Sequence, residues 1–478
     1  MKAFDIIVIG SGGGSKITRP AAKLGYSVAI IEKDALGGPC LNRGCIPSKM
    51  LIHPADVLSE LKELSKFDID MDLAFTVNFK QLVSRVSATI DADSAQIKPM
   101  YDKIDNITYY CGEARFVAPK VLEVNGEKIS GQKIYISVGV RPSIPAIPGL
   151  VDTPYWTSTE ALRNTVLPKR LLVIGGGYIA VELGYMYGML GSQVEFLLRS
   201  RLIRFEDSDV SAEFTRVFSQ RFQIHSDITI QQVSYCDNEF KVLYQDSGGN
   251  QIERVADQLL VATGVDSNAD TLNLDVTGVQ LDDRGYIKVN DYLETAESGI
   301  YAFGDVLGRH LFRHTANYEG EYLYKQLVRA SNQSVPIQYP PIPHAIFTNP
   351  QVGGVGKTED ELIAENVDYV KGVNYYKNSA MGMALLSDEG FAKVLFDRQS
   401  RQLLGVHIIG KEAANMVHMA IAFMKMGATI DDMMDTIFIH PAINEIFRNA
   451  IRKAFGAFNR VMGSVAKCLI FTIFTFVM

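Results

Sequence analysis

Two cysteines, Cys40 and Cys45, are the residues of this chain whose type and spacing best suit chemistry. They can reach each other across little more than one helical turn, so a redox-active disulfide is geometrically possible. Five cysteines in 478 residues is a low, odd count that does not indicate a disulfide scaffold. In a reducing compartment, such a pair is more often catalytic than stabilising. The sequence therefore predicts thiol–disulfide chemistry here.

The elements that must position this pair begin at the N-terminus. An apolar strand ends at Gly10, and Gly12, Gly13 and Ser15 follow, with Ser15 at the third position of a dinucleotide-binding fingerprint. Glycines permit the tight turn and the approach of a pyrophosphate, whereas Ser15 predicts a looser packing of helix on strand. Glu32 ends the next strand, 22 residues after Gly10, where an acid bonds a ribose hydroxyl.

A second fingerprint begins about 165 residues later, which indicates two Rossmann-like domains. Gly175 and Gly177 occupy its first two positions, Tyr178 follows, and Ala180 replaces the third glycine. This unit therefore predicts a binding site for a second dinucleotide.

The strand after this second loop, predicted over residues 193–198, does not end in an acid. Arg199 and Arg204 follow it. An acid there would repel a 2′-phosphate, whereas arginine can bind one with two parallel hydrogen bonds. The arginines therefore favour NADPH; the alternative is that they are solvated charges and that the cofactor is NADH.

Residues from about 339 onward predict a separate α/β unit, and its last segment carries His440 and Glu445. Thiol–disulfide exchange needs a thiolate that attacks and a leaving group that is protonated. An imidazole exchanges protons near neutral pH. Glu445 would orient the His440 ring and favour its charged form. We therefore expect His440 to be the acid–base residue.

Taken in order, these segments resemble the flavoprotein disulfide reductases (class I pyridine nucleotide-disulfide oxidoreductases) over residues 1 to about 455. The resemblance implies an α/β fold with two Rossmann-like dinucleotide-binding domains and a C-terminal α/β dimerisation domain, and it implies FAD with NADPH or NADH. It predicts these segments: 1–149, first part of the FAD-binding domain; 150–270, NAD(P)-binding domain; 271–340, remaining FAD-binding or central part; 341–461, dimerisation domain; 462–478, an unmatched apolar tail.

The resemblance also implies roles for single residues. Cys45 faces the flavin and Cys40 meets the substrate. Lys49 and Glu182 form an ion pair near the reactive nitrogen of the flavin, where a cation would stabilise the reduced ring. The remaining roles are these: Tyr178, a gate over the flavin face; Asp305, a contact of the ribityl chain; Gly139 and Gly264, the crossovers between the two nucleotide-binding domains; His440, a residue that serves the flavin site of the other subunit of a homodimer.

Two residues near the cysteines depart from the family pattern. Pro39 stands where threonine is usual, which removes a hydroxyl and a backbone donor. Arg43 stands where valine is usual, and its cation would lower a thiol pKa, contact an acidic substrate or simply face solvent.

The sequence leaves two enzymatic functions open. The spelling of residues 40–49 favours dihydrolipoamide dehydrogenase, with a small dithiol or a lipoyl domain as partner. The second fingerprint with Arg199 and Arg204 favours an NADPH-dependent reductase of a low-molecular-weight disulfide, similar to mycothione or glutathione reductase. We take the first as the leading hypothesis. A non-catalytic flavin-binding subunit is a remote third, because Cys40, Cys45, His440 and Glu445 are all present.

Composition limits the partners. The net charge of −7 argues against nucleic acid as the main partner. The apolar run over residues 469–478 is shorter than the ~20 residues of a membrane span. We see no targeting segment before the first strand and expect a cytoplasmic protein.

Overall fold

Apolar strands that run into glycine loops build an α/β fold, which a computed structural model describes for residues 1–72, 75–329 and 334–459. In this part of the chain the strands are β1 Lys2–Ile9, β2 Val28–Glu32, β3 Ile107–Cys111, β4 Ala114–Ala118, β5 Val121–Val124, β6 Glu127–Ile136, β7 Val140–Pro142, β8 Arg170–Ile174, β9 Gln193–Leu197, β10 Gln223–His225, β11 Thr229–Cys236, β12 Glu239–Gln245, β13 Gln251–Ala256, β14 Gln258–Val261, β15 Val265–Ser267, β16 Ile300–Ala302, β17 Pro343–Ile346, β18 Gln351–Gly356, β19 Tyr369–Tyr375, β20 Phe391–Asp397 and β21 Leu403–Gly410. The helices are α1 Ser11–Lys23, α2 Gly38–Arg43, α3 Cys45–Lys62, α4 Phe79–Ala95, α5 Ile97–Asp102, α6 Ser158–Ala161, α7 Tyr178–Leu190, α8 Ser208–Phe218, α9 Arg313–Val328, α10 Glu359–Ala364, α11 Ala380–Ala384, α12 Ala413–Met426, α13 Ile430–Met434 and α14, residues 445–459.

The first sheet combines strands from the N-terminal segment, β1 to β6, with the later strand β16. Its order is β3-β2-β1-β6-β5-β4, and β16 pairs with β6. The run Ile6–Ile9 of β1 is fully buried, as expected for a central strand that is parallel to both neighbours. Because β16 lies about 160 residues after β6, the chain leaves this sheet and returns to it, as the predicted split of the FAD-binding domain requires.

The second nucleotide-binding unit is a parallel sheet of order β10-β9-β8-β14, joined by the antiparallel sheet β11-β12-β13. The two crossings between the units meet in the short antiparallel pair β7 and β15. The predicted strand at residues 193–198 ends one residue earlier, at Leu197, and the first acid-bearing strand runs over Val28–Glu32. These small differences leave Glu32 and Arg199 at the carboxyl ends of their strands.

The C-terminal unit is an antiparallel sheet of order β17-β18-β21-β20-β19, and α12 and α14 contribute to the apolar core beside it. The sheets follow the order of the predicted domains, and we keep the boundaries at 149, 270, 340 and 461 as a proposal. None of the described helices is long and apolar enough to cross a membrane. The tail at 462–478 lies outside the described residues.

Candidate active site

Cys40 and Cys45 are joined by a disulfide at the junction of two helices. Cys40 lies in α2, Cys45 is the first residue of α3, and their Cα atoms are 4.7 Å apart. Gly44 forms the break between the helices, where a Cβ would lie only 3.0 Å from the Pro39 carbonyl oxygen. The short connection therefore holds both sulfur atoms on one side of the turn.

Asn42, between the two cysteines, fixes the shape of this loop and was not predicted. Its side-chain amide donates to the carbonyl oxygens of Ala35, Leu36 and Gly38 at 3.2, 3.0 and 3.1 Å. The residue is buried, and its own Oδ1 has no partner in the described part of the chain. Because the partners are backbone atoms, no side-chain pattern in the sequence reveals this role.

The two departures near the cysteines have simple structural outcomes. Pro39 lies in the first turn of α2, where backbone N–H groups have no acceptor within the helix, so the missing donor costs the helix no hydrogen bond. The guanidinium of Arg43 pairs with Asp34 at 2.6 Å. The ion pair is partly exposed, and the three alternatives for Arg43 stay open.

The first glycine loop has the predicted turn at Gly10, but its close contact with β1 is made by Gly14. A Cβ on Gly10, whose φ is +94°, would collide with the Ser137 carbonyl. The looser packing expected at Ser15 stays a prediction; the close contact of helix on strand that the structure shows is at Gly14, where a Cβ would collide with Val8. Ser15 instead donates its hydroxyl to the Gly12 carbonyl at 2.9 Å. A Cβ on Gly13 would lie 2.9 Å from the Phe303 ring.

Glu32 lies at the carboxyl end of β2 and contacts the glycine loop. It accepts hydrogen bonds from the backbone and hydroxyl of Ser11 at 2.9 and 2.8 Å. The same hydroxyl accepts from the Gly37 amide at 2.9 Å, so Ser11 connects the acid to the start of the cysteine segment. Carboxylate oxygens keep further lone pairs, so Glu32 remains able to accept from a ribose hydroxyl.

The second glycine loop has the same turn and more space. A Cβ on Gly175, at φ +128°, would collide with the Ala262 carbonyl. Gly177 has no atom within 4 Å of the position of a Cβ, and the same holds for Gly139 and Gly264 at the two crossovers. These open positions leave room for a ligand against the backbone.

Tyr178, the first residue of α7, is held by two residues that were not predicted. Its hydroxyl donates to Glu206 Oε1 at 2.5 Å, and His344 Nε2 contacts Glu206 Oε2 at 2.8 Å. Burial opposes ionisation of Glu206, yet the His344 and Tyr178 hydrogen bonds outweigh it and lower its pKa. The Tyr178 ring also lies near-parallel to those of Phe312 and His344, with centroids 6.3 and 6.2 Å away. Tyr178 is thus fixed between the second glycine loop and the N-terminus of α9.

Arg199 and Arg204 lie where the sequence predicts, past the end of β9, and both are exposed. Neither forms an ion pair with a carboxylate among the described residues, and the Arg204 guanidinium lies 4.4 Å from the centroid of the Phe205 ring. Glu195, within β9, contacts His225 and Arg254 instead. The end of this strand therefore presents positive charge.

Lys49 and Glu182 form the predicted ion pair. Lys49 Nζ lies 2.6 Å from Glu182 Oε2 and connects α3 to α7. The other carboxylate oxygen of Glu182 accepts from the Phe347 amide at 3.0 Å, and Lys49 Nζ is 4.6 Å from the centroid of the Phe347 ring. Because Lys49 lies one helical turn after Cys45, the pair ties the cysteine segment to the second nucleotide-binding unit.

His440 and Glu445 also lie together. Nδ1 of His440 is 3.0 Å from both carboxylate oxygens of Glu445, and the His440 hydrogen bond lowers the pKa of Glu445. The His440 side chain is 72 % exposed and has no recorded contact with Cys40 or Cys45 of the same chain. This arrangement leaves Nε2 of the ring directed away from its partner and available.

The FAD that the resemblance implies fits the residues present. Asp305 follows β16, and burial raises the pKa of its carboxyl to about 6 against the attraction of Arg313. Its side chain has no hydrogen-bond partner among the described residues. A half-buried carboxyl without a donor is unfavourable, and a ribityl hydroxyl would supply that donor. Glu32, the first glycine loop, Asp305 and Lys49 would hold the cofactor.

Comparison with known proteins agrees with this geometry. Residues 4–331 match the family described as pyridine nucleotide-disulphide oxidoreductase, and residues 342–451 match its dimerisation domain. The chain is 32 % identical to a mycothione reductase of Mycobacterium tuberculosis, over 94 % of this chain and 99 % of that protein. It is 35 % identical to a dihydrolipoyl dehydrogenase of Thermus scotoductus, over 93 % and 96 %. The solved structure of the HOCl-induced flavoprotein disulfide reductase RclA from Escherichia coli, in its Cu(II) complex, is similar with a TM-score of 0.83 and 25 % identity, over 95 % and 99 %.

Two glycine loops, a disulfide after the first of them and a C-terminal unit that carries the histidine are thus accompanied by family matches that cover most of the chain. This chain belongs to the pyridine nucleotide-disulphide oxidoreductase family, whose members depend on FAD and use NAD(P)H.

Proposed function

We propose that this protein uses NADPH to reduce a low-molecular-weight disulfide through bound FAD and the Cys40–Cys45 pair. The observation that carries the choice is the end of β9, where Arg199 and Arg204 are exposed and unpaired with carboxylates in the described structure. A 2′-phosphate would supply the missing anion. An enzyme that takes electrons from NADPH is suited to reduce a disulfide. We therefore rank the reductase above dihydrolipoamide dehydrogenase, the reverse of the order inferred from the sequence.

When bound, FAD supplies two-electron transfer between the nicotinamide and the disulfide. The protein's own residues then carry out the exchange. A Cys40 thiolate attacks one sulfur of the substrate disulfide and forms a mixed disulfide, and the departing thiolate takes a proton from His440. Cys45 then gives up its proton to His440 and attacks the Cys40 sulfur, the second thiolate departs and takes that proton from His440, and the Cys40–Cys45 disulfide is restored. Two electrons and two protons have then passed to the substrate.

The geometry of His440 supports its proposed role. Because Glu445 accepts from Nδ1, the neutral ring carries its proton on that nitrogen and presents Nε2 as the base. Glu445 also stabilises the cation that forms when Nε2 takes up a proton.

We further propose that the active protein is a homodimer in which His440 serves the Cys40 of the other subunit. His440 is exposed in the single chain, and its neighbours Ile437 and Ile439 expose 97 % and 80 % of their surface. Exposed apolar residues beside a catalytic group indicate an interface. A C2 dimer would cover them and complete two equivalent sites. A reducing compartment such as the cytoplasm would keep the product thiols reduced.

Dihydrolipoamide dehydrogenase is the second candidate. The run from Cys40 to Lys49 and the 35 % identity to the Thermus protein favour it. Its substrate would be a dihydrolipoamide or a lipoyl domain, and its nucleotide would be NAD⁺.

Steady-state kinetics distinguishes the two functions. We expect kcat/KM to be higher with NADPH than with NADH, and turnover to be fastest with oxidised glutathione, mycothione disulfide or another small disulfide. A preference for NAD⁺ with fast oxidation of dihydrolipoamide would contradict the reductase and establish the dehydrogenase. No turnover with any disulfide, in protein that retains FAD and an intact Cys40–Cys45 pair, would favour the non-catalytic subunit.

A further inference from the structure

Arg313, the first residue of α9, lies directly beside the first glycine loop. Its Nη1 is 3.4 Å from the position that a Cβ on Gly12 would take. Gly12 is the second glycine of the fingerprint, the one that lets a pyrophosphate approach the backbone. The guanidinium therefore lies where the diphosphate of a bound dinucleotide would be expected.

This guanidinium has no partner within the described structure. No hydrogen bond or ion pair joins Arg313 to another residue there, and Asp305 acts on it only as a more distant charge. Burial of the group lowers the pKa of Arg313. Arg313 is half-buried, and a cation partly withdrawn from water without a matching anion is unfavourable, so the site favours a negative ligand.

The N-terminus of α9 also favours an anion at this position. The first backbone amides of a helix have no partner inside it, and they favour anions. Thr315, in the same turn, is 3 % exposed, and its hydroxyl also has no hydrogen-bond partner among the described residues. The first glycine loop and the N-terminus of α9 thus present unpaired donors on two sides of one space.

We propose that Arg313 binds the diphosphate of FAD, as a cationic clamp opposite the first glycine loop. Its two terminal nitrogens would contact two phosphate oxygens. The fingerprint does not reveal this residue, because Arg313 lies 301 positions after Gly12. The inference rests on the family's cofactor and not on the proposed substrate, so a failure of the substrate assignment would leave it intact.

Reconstitution with FAD tests the proposal without turnover. Holoenzyme is stripped of flavin, FAD affinity is measured from the quenching of flavin fluorescence, and ADP and adenosine are titrated as competitors. For Arg313→Met we expect the Kd for FAD and the inhibition constant for ADP to rise about 10- to 100-fold, with adenosine unchanged. Arg313→Lys should recover part of the loss. Arg329→Met, at the exposed residue that directly follows the C-terminus of the same helix, is the matched control and should behave like the wild type.

Three results would overturn the proposal. The first is a Kd for FAD within about twofold of wild type in Arg313→Met. The second is an equal loss for adenosine, which would indicate a structural role. The third is weaker FAD binding with ADP competition unchanged, which would place the contact on the flavin and not on the diphosphate. Circular dichroism of each variant, with and without FAD, establishes that it is folded.

Discussion

One ring nitrogen of His440, Nδ1, is held by Glu445, and the other, Nε2, has no partner among the described residues and can exchange a proton with the substrate. Replacing it with glutamine keeps a polar side chain but removes the titrating group. We expect His440→Gln to slow disulfide turnover by ~10²–10⁴-fold, because exchange loses its general acid–base residue. The rate at which NADPH bleaches the yellow absorbance should stay within about twofold. Stopped-flow absorbance separates these half-reactions.

A matched control is His418→Gln, since the one hydrogen bond of the His418 ring within the described residues is to the Ala414 carbonyl in its own helix. It should leave both half-reactions unchanged. If His440→Gln slows the bleaching step instead, the histidine acts on the first half-reaction and the proposed role is wrong.

In the proposed function, Arg199 makes the protein prefer NADPH over NADH. Replacing it with glutamate puts an acid where none exists at the end of β9. We expect Arg199→Glu to raise the KM for NADPH at least about tenfold, because a charge-assisted bond worth roughly 1.5–3 kcal/mol is replaced by repulsion. The KM for NADH should stay near wild type. High salt should reduce the difference, since the side chain is exposed.

Lys241→Glu makes the same change of charge on an exposed position of β12 and should alter neither constant. A wild-type preference for NADH, with both constants unchanged in Arg199→Glu, would show that the arginines are solvated charges.

Residues that stand in short motifs were predictable from local sequence, whereas a distant partner was predictable only where the family resemblance supplied it, as for Lys49 and Glu182. Cys40, Cys45, His440 and Glu445 stand in short segments whose spacing suggests chemistry. By contrast, Glu206 and His344 are 138 positions apart and meet only because the second nucleotide-binding unit packs on the C-terminal one. No local pattern contains that contact.

At the scale of elements, strands and loops followed their patterns closely. Apolar runs followed by glycines placed β1, β8 and both loops, with strand ends shifted by one residue. The contact of α1 with β1 was not predicted: it depends on which residue of α1 faces Val8, and that residue is Gly14. Because Gly12, Gly13 and Gly14 are adjacent, their spacing alone does not show which of them faces the strand.

Lys393 joins two elements from different units. It lies in β20, is fully buried, and contacts Asp207, Asp209 and Glu359 at 2.8, 2.7 and 2.5 Å. We expect Lys393→Met to lower the free energy of unfolding by about 3–5 kcal/mol, because buried carboxylates lose their counter-ion. Denaturation in urea, followed by circular dichroism, measures this change.

The control is Lys371→Met, which removes another partner of Glu359 whose side chain is 41 % exposed. A pair so exposed should contribute less than about 1 kcal/mol. Equal effects of the two substitutions would contradict the importance assigned to burial.

At the scale of the molecule, the sequence predicted two Rossmann-like domains and a C-terminal α/β unit. The sheets follow that order and β16 pairs with β6 of the first sheet, while the domain boundaries stay a prediction. Contacts between units were not predictable from local patterns, because they depend on three-dimensional packing. The ion pair between Lys49 and Glu182 was expected only from the family resemblance. The dimer stays a prediction, supported by the dimerisation domain at residues 342–451 and by the exposed surroundings of His440.

Mixed dimers test the composite site. Cys45→Ser and His440→Ala subunits are each expected to be inactive alone. After random exchange of subunits, half of the dimers are hybrids, and one of the two sites in each hybrid has both residues intact. We therefore expect about one quarter of wild-type disulfide reductase activity. Activity that stays at the level of the separate variants, despite hybrids detected by mass spectrometry, would show that each chain uses its own histidine.

The central claim is that electrons from NADPH reach the Cys40–Cys45 disulfide. Alkylation followed by mass spectrometry tests it most directly, with the free and exposed Cys111 and Cys236 as internal references. In the oxidised holoenzyme, only the reference cysteines should be labelled among these four. After anaerobic addition of NADPH, Cys40 and Cys45 should be labelled as well. Labelling of both before NADPH is added, or of neither after NADPH has bleached the flavin, would contradict the account.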